Sequence, residues 1–233
     1  MGLYIILMGV QGAGKGVQAD FIKKAYNIPH VSTGDIFRGL SNRTDELAQR
    51  VKAILASGAL VDDETTNELV ADRLNETDAA NGVILDGYPR NHAQAAFLDK
   101  YLSEKGQQVN SVLLLKLDLF TAFKRALGRV TDAETGESFN YYFKQGDVEF
   151  SVEKDPDGNY PPRMIASRNG QLLKRRADDA NAMAIIKRIE TYLAETMPIV
   201  EYYRNDGIVT DIVADMPIDV VSYYIKTVLD SAK

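Results

Sequence analysis

The apolar positions of this chain fall into short unbroken runs separated by longer stretches with helical spacing. LYIILM, residues 3–8, is continuous and β-rich, as expected of a strand covered on both faces. KGVQADFIKKAY follows a glycine-rich loop and repeats apolar residues at helical intervals through Val17, Phe21, Ile22 and Ala25. NGVILDGYP reads as a second strand, stopped by Gly87 and Pro89. SVLLLKLD reads as a third and GIVTDIVAD as a fourth. Helices are expected over about 44–57, 62–76, 91–105, 119–128, 178–203 and 217–231. Strands alternating with helices predict an α/β three-layer fold, a central parallel sheet flanked by helices.

From about Gly128 to Asp179 that alternation stops. DAETGES, KQGD, KDPDGNYPP and SRNGQ are turn-rich, with short alternating runs such as SFNYYF and DVEFSV between them. A stretch of this length inside a domain is a functional lid or a disordered segment. Phe139, Tyr141, Tyr142, Phe143, Phe150 and Tyr160 supply enough apolar surface to predict a small β-rich subdomain.

Composition narrows the partners. With 233 residues, 45% hydrophobic and 26% charged, the chain reads as a soluble globular protein able to bury one good core. A formal net charge of -6 argues against general nucleic-acid binding, which needs a clustered positive surface. There are no cysteines, which excludes disulfides and thiolate zinc sites, and His30 and His92 stand too far apart in sequence to suggest a metal cluster. LYIILM is too short to span a bilayer and no basic residue precedes it. Ile6 occupies the place where a myristoylation signal has Ser or Thr. A cytoplasmic protein with no membrane partner is expected. No sustained heptad or spare apolar helix face calls for a second copy, so a monomer is expected. Tyr202–Tyr203 and Tyr223–Tyr224 read as helix packing, and His92 as a bystander.

The candidate chemistry begins in GVQGAGKGVQ, residues 9–18. Glycines let successive peptide N–H groups turn toward a phosphate, the next helix adds its positive end, and Lys15 can reach the outer phosphates. The Ser or Thr that holds magnesium in such loops is missing, because Gly16 follows the lysine. Asp86, at the end of the second strand, is one candidate to hold magnesium through its water shell; a strand-end cap is the other reading.

GVQGAGKGVQ, VSTGDIFR, GALVDDE, ILDGYPRNHAQA, ALGR and KRRADD stand in the order and spacing found in adenylate kinases, and ETMPIVEYY extends the likeness. The chain resembles that family over nearly its whole length. The resemblance implies a core of 1–31, 62–127 and 180–233, a small helical NMP-binding subdomain at 32–61 and a lid at 128–179. It implies ATP binding by Gly12, Ala13, Gly14, Lys15, Gly16, Val17, Arg125 and Arg129, with Arg125 stacked on adenine. AMP would meet Thr33, Arg38, Val61, Gly87, Arg90, Gln94, Arg176 and Arg188. Lys15, Arg90, Arg129, Arg176 and Arg188 would be catalytic, with Asp86 in the magnesium shell and Asp178 and Asp179 at the lid boundary. Such a set suits phosphoryl transfer, which is mostly positioning and electrostatics and needs no base for an acceptor that is already anionic.

The chain departs from the family pattern in three places. Val17 and Gln11 replace the usual loop threonine and proline, at a cost of about 1 kcal/mol in lost hydroxyl contacts. The lid is longer, with the extra residues between Asn140 and Pro161. At its tip Asp132, Thr135, Ala166 and Asn169 align with the positions where some members place zinc-binding cysteines, so zinc is not expected and polar contacts would tie the tip. One residue is added between Asp179 and Arg188; a one-residue slip turns a helix by about 100°, which leaves Lys187 as the alternative to Arg188. Thr33 and Gln94 favour AMP over the pyrimidine acceptors of UMP/CMP kinases. ATP or GTP as donor stays open, and a non-catalytic nucleotide sensor is the reading outside enzymes.

Overall fold

The continuous apolar runs become the strands of one parallel sheet in the computed structural model, which describes residues 2–40, 45–46, 48–51, 61–153, 163–176, 179 and 182–231, without the side chains of Arg38 and Arg163. The sheet consists of β1 (Leu3–Met8), β2 (His30–Ser32), β3 (Gly82–Asp86), β4 (Val109–Lys116) and β10 (Val209–Val213), ordered β10-β4-β1-β3-β2. All four pairings are parallel. Successive side chains of a strand face opposite ways, and β1 buries both sets. Tyr4, Ile6 and Met8 join one core cluster with Leu98, Leu102, Ile199 and Tyr203, while Ile5 and Leu7 are equally buried outside it.

The fifth strand, β2, is an addition to the four expected. It is three residues long with only Val31 fully buried, too short for periodicity to register. Helices α1 (Lys15–Tyr26), α3 (Asp63–Leu74), α4 (His92–Ser103) and α8 (Ile218–Ser231) fall within the expected spans. Asp62 caps α3 by accepting from Thr65 N at 2.8 Å, and Asn91 caps α4 by accepting from Gln94 N at 2.9 Å. A short helix α2, Thr33–Gly39, was not legible, because TGDIFRG carries a glycine at both ends. Most of the helix expected over 44–57 lies outside the described residues; Ala48 and Val51 pack with Leu40 and Leu69.

The single helix expected over 178–203 is corrected to α6 (Ala182–Thr191), a π turn over Tyr192–Thr196, and α7 (Met197–Arg204). Pro198 is the cause: it has no N–H to donate and its ring crowds the carbonyl four residues back, which a widened turn relieves. Tyr202 and Tyr203 do pack, donating to Asp99 at 2.7 and 3.3 Å, and His92 sits edge-on to Tyr202. Tyr223 and Tyr224 are 69% and 57% exposed on α8 and meet edge to face, with ring centres 6.2 Å apart.

The chain forms two compact units. One comprises Met1–Gly9, Gly14–Lys116 and Ala194–Lys233 and contains the sheet; the other comprises Val10–Ala13 and Leu117–Leu193. The second begins its main segment with α5 (Leu119–Leu127). A β ribbon of β5 (Arg129–Thr131) and β6 (Ser138–Asn140) follows, then an antiparallel sheet of β7 (Glu149–Glu153), β8 (Arg163–Arg168) and β9 (Gln171–Leu172), and α6. The expected small β subdomain is therefore present, around a core of its own formed by Val130, Phe139, Val148 and Ala166.

Polar contacts tie the tip, with Ala166 outside the set. Ala166 belongs to that core, and Asn169 with Gly170 makes the left-handed turn between β8 and β9. Asp132 accepts from the amides of Glu134 and Thr135. The tie itself is Arg168, which donates to Asp147 at 2.8 Å and Glu137 at 3.1 Å, lies 3.6 Å from Asp132 and covers the Phe139 ring.

Candidate active site

The loop that leaves β1 owes its path to backbone that only glycine adopts readily. Gly12 has φ 87°, and a Cβ there would meet Ala122 O at 2.7 Å, so α5 and the loop touch backbone to backbone. Ala13 is buried, its N–H donating to Val10 O. Gly14, with φ 90°, caps α1 and offers no side chain to its first amides. Nothing crowds Gly16, and the Val17 side chain is exposed. Gln11, in the proline's place, donates its amide to Ile185 O at 2.9 Å, a bond that joins the loop to α6.

In the first unit Lys15 Nζ donates to Gly9 O at 2.6 Å. Asp86 ends β3 opposite Leu7, the β1 residue before Met8. Burial raises the Asp86 carboxyl, but contact with His30 and the charges of Lys15 and Arg90 outweigh it and hold the group below its usual range. His30 Nε2 lies 3.4 Å from Asp86 Oδ2; the histidine was passed over in the sequence because its partner is 56 positions away, a pairing that only the β2–β3 register creates.

Arg90, Thr33, Gly87 and Gln94 form one hydrogen-bonded group. Arg90 Nε donates to Gly87 O at 2.7 Å, Thr33 Oγ1 donates to the same oxygen at 2.9 Å, and Arg90 Nη2 reaches Thr33 Oγ1 at 3.3 Å. Gln94 is buried, accepting from Arg90 N at 2.8 Å and donating to Asp63 Oδ1 at 2.7 Å. Val61 packs against the Leu40 cluster. The Arg38 side chain and Asp178 lie outside the described residues.

In the second unit Asp179 is wholly buried and shared by two arginines. Arg129 donates to Oδ2 from Nε at 3.0 Å and also from Nη2, while Arg188 Nη1 donates to Oδ1 at 2.9 Å. Lys187 points to solvent, so the added residue leaves Arg188 on the inner face of α6. Arg176 is exposed, and Arg125 lies 5.7 Å from the Phe143 ring centre. Among the described residues no group of three or more His, Cys, Asp or Glu could hold a metal ion, and no helix is long and apolar enough to cross a membrane.

A parallel sheet whose central strand runs into a glycine loop closed by lysine, with an acidic residue ending the neighbouring strand, defines a P-loop nucleotide kinase. The family model described as adenylate kinase matches residues 7–208. The chain belongs to the adenylate kinase family. It is 40% identical to the adenylate kinase of Clostridioides difficile (strain 630) over 231 residues, 98% of this chain and 99% of that one. It is 38% identical to the adenylate kinase of Alkaliphilus oremlandii, covering 97% of this chain and 98% of the relative. It is 37% identical to that of Caldanaerobacter subterraneus subsp. tengcongensis, covering 97% and 95%.

Proposed function

We propose that the chain catalyses reversible, Mg²⁺-dependent transfer of a phosphoryl group from ATP to AMP, giving two ADP, by in-line displacement in a closed site. The observation that carries this reading is the electrostatic position of Asp86, which feels Lys15 and Arg90 together. Lys15 belongs to the loop that cradles the donor phosphates, and Arg90 is the residue assigned to the acceptor phosphate. A carboxylate at a strand end, held below its usual range in the field of both cations, fits a hard cation held through water. Mg²⁺ bound there would neutralise charge on the donor phosphates.

The protein groups do the positioning. The loop amides of Gly12, Ala13, Gly14, Gly16 and Val17 hold the donor phosphates, and Arg125 stacks on the donor base. Arg129, Arg176 and Arg188 offset charge on the group in transit. Arg38 and Arg90 hold the acceptor phosphate; Thr33, Val61, Gly87 and Gln94 frame its adenine. Residues 32–61 act as the acceptor subdomain and 128–179 as a lid that excludes water, which would otherwise compete with AMP. The enzyme works as a cytoplasmic monomer on free nucleotides, without zinc.

A coupled assay for ADP tests this, with ATP or GTP as donor and AMP, CMP or UMP as acceptor. AMP turnover well above the pyrimidines is expected. CMP or UMP turnover above AMP would refute the acceptor assignment, and no turnover with any pair would favour a sensor. Lys15→Ala and Arg90→Ala should each remove most activity from a folded protein; near-normal rates in either would move the site elsewhere.

A further inference from the structure

Arg175 is the unexplained cation of the second unit. Its Nε and Nη2 are buried, and among the described residues nothing accepts a hydrogen bond from either. Buried guanidiniums are ordinarily paired, because an unpaired buried charge carries its full desolvation cost. Burial depresses the Arg175 pKa, while the Asp179 carboxylate, followed by Tyr142, acts in the opposite sense. Asp179 lies four residues on, and its N–H donates to Arg176 O at 3.0 Å.

The Asp179 carboxylate already has both oxygens engaged, one by Arg129 and the other by Arg188. Those are two of the arginines assigned above to the moving phosphoryl group, so the inference rests on that assignment. An arginine cannot direct the same N–H groups at phosphate and at Asp179. Were both to leave, a wholly buried carboxylate would lose its partners, at a cost that would work against nucleotide binding. Arg175 has unused donors within the field of that carboxylate.

We propose that Arg175 is a positioning residue, held in reserve to take the Asp179 carboxylate when Arg129 and Arg188 turn to nucleotide phosphates. It touches no nucleotide itself. Its unsatisfied donors are the free-state cost of that exchange, so the free protein does not need them.

The test uses the full chain and a bisubstrate mimic of two adenosines bridged by five phosphates. Arg175→Met keeps a long apolar side chain and removes the donors. Its melting temperature without ligand should equal or exceed that of the parent. Its affinity for the mimic should fall about tenfold, the loss of one charge-assisted hydrogen bond. Arg175→Lys, which keeps the charge, should recover part of that affinity. In an Asp179→Asn background Arg175→Met should add no further loss, because a neutral amide needs no counter-ion. A lower melting temperature of free Arg175→Met, an unchanged affinity, or an equal loss in the Asn background would each overturn the proposal. If the parent neither binds the mimic nor makes ADP, the phosphotransfer reading fails first and takes this inference with it.

Discussion

Gly87→Ala separates the acceptor side of the site from the donor side. Gly87 has φ 75°, and a Cβ there would lie 3.0 Å from Thr33 Oγ1 and 3.1 Å from Arg90 Nη2. Left-handed backbone costs an alanine about 1–2 kcal/mol in the folded state. The crowding falls on two side chains, and they do not yield equally. Thr33 is 2% exposed and bonded to Gly87 O, whereas Arg90 is exposed at the site's edge. Arg90 therefore moves, giving up its 3.3 Å contact to Thr33 and straining its 2.7 Å bond to Gly87 O. A displacement of about 1 Å in a phosphate-positioning group costs up to about 100-fold in rate. Initial rates with AMP varied at saturating ATP should show kcat/KM reduced by about tenfold to 100-fold. The ATP KM should change by less than about twofold, because uniform binding on the donor side is untouched. Urea unfolding should show the stability loss. Gly106→Ala is the control: Gly106 also has positive φ (66°), but a Cβ there meets nothing within 4 Å, so stability should fall with kinetics intact. Equal rises in both KM values, or normal AMP kinetics in a destabilised Gly87→Ala, would refute the placement of Arg90 at the acceptor phosphate.

Two further outcomes follow from residues peculiar to this chain. Val17→Thr restores a hydroxyl at an exposed position of the loop and should tighten ATP binding about fivefold, equivalent to about 1 kcal/mol; titration calorimetry showing no gain would mean the site makes no use of that position. Arg168→Met should loosen the lid tip, read as faster amide hydrogen exchange in β8 and β9. Backbone amides of Thr135 and Glu134 hold Asp132 below its ordinary 3.8, and the Arg168 bond holds Asp147 below it. Because both values are depressed in the folded state, their contribution is complete above 3.8 and is lost as pH falls through the depressed values. Lid exchange in the parent should therefore accelerate under acid beyond the intrinsic pH effect, and Arg168→Met should lose the Asp147 share of that response. Identical pH profiles would show that Arg168 does not tie the tip.

Much of the fold was legible because the strands of a parallel sheet are buried on both faces and announce themselves as unbroken apolar runs. β1, β3, β4 and β10 did so; β2, with one fully buried residue, could not. The caps Asp62 and Asn91 mark their helices as local signals do, whereas the π turn ahead of Pro198 arises from a conflict between a helical pattern and one residue that cannot satisfy it. The site residues divide the same way. Lys15 and Asp86 follow from local motifs, but the His30–Asp86 contact depends on strand register and the Arg168 hub on hairpin pairing. Arg175 stands in a run of three cations, and the burial of its Nε and Nη2 is a tertiary fact with no local trace. The downstream register RIETY…TMP favours Arg188 over Lys187; Arg188 is the one that donates to Asp179, while Lys187 is exposed.

Lys15, Arg90, Arg129 and Arg188 rest on internal acceptors, and those acceptors differ in what it costs to leave them. Lys15 rests on a peptide oxygen, and Arg90 on a peptide oxygen and a hydroxyl. Exchanging a neutral acceptor for a phosphate oxygen replaces a hydrogen bond to a dipole with one to an anion. Arg129 and Arg188 rest on a buried carboxylate, so for them the exchange is charge for charge and leaves Asp179 behind without water. The second exchange is favourable only if something else meets Asp179.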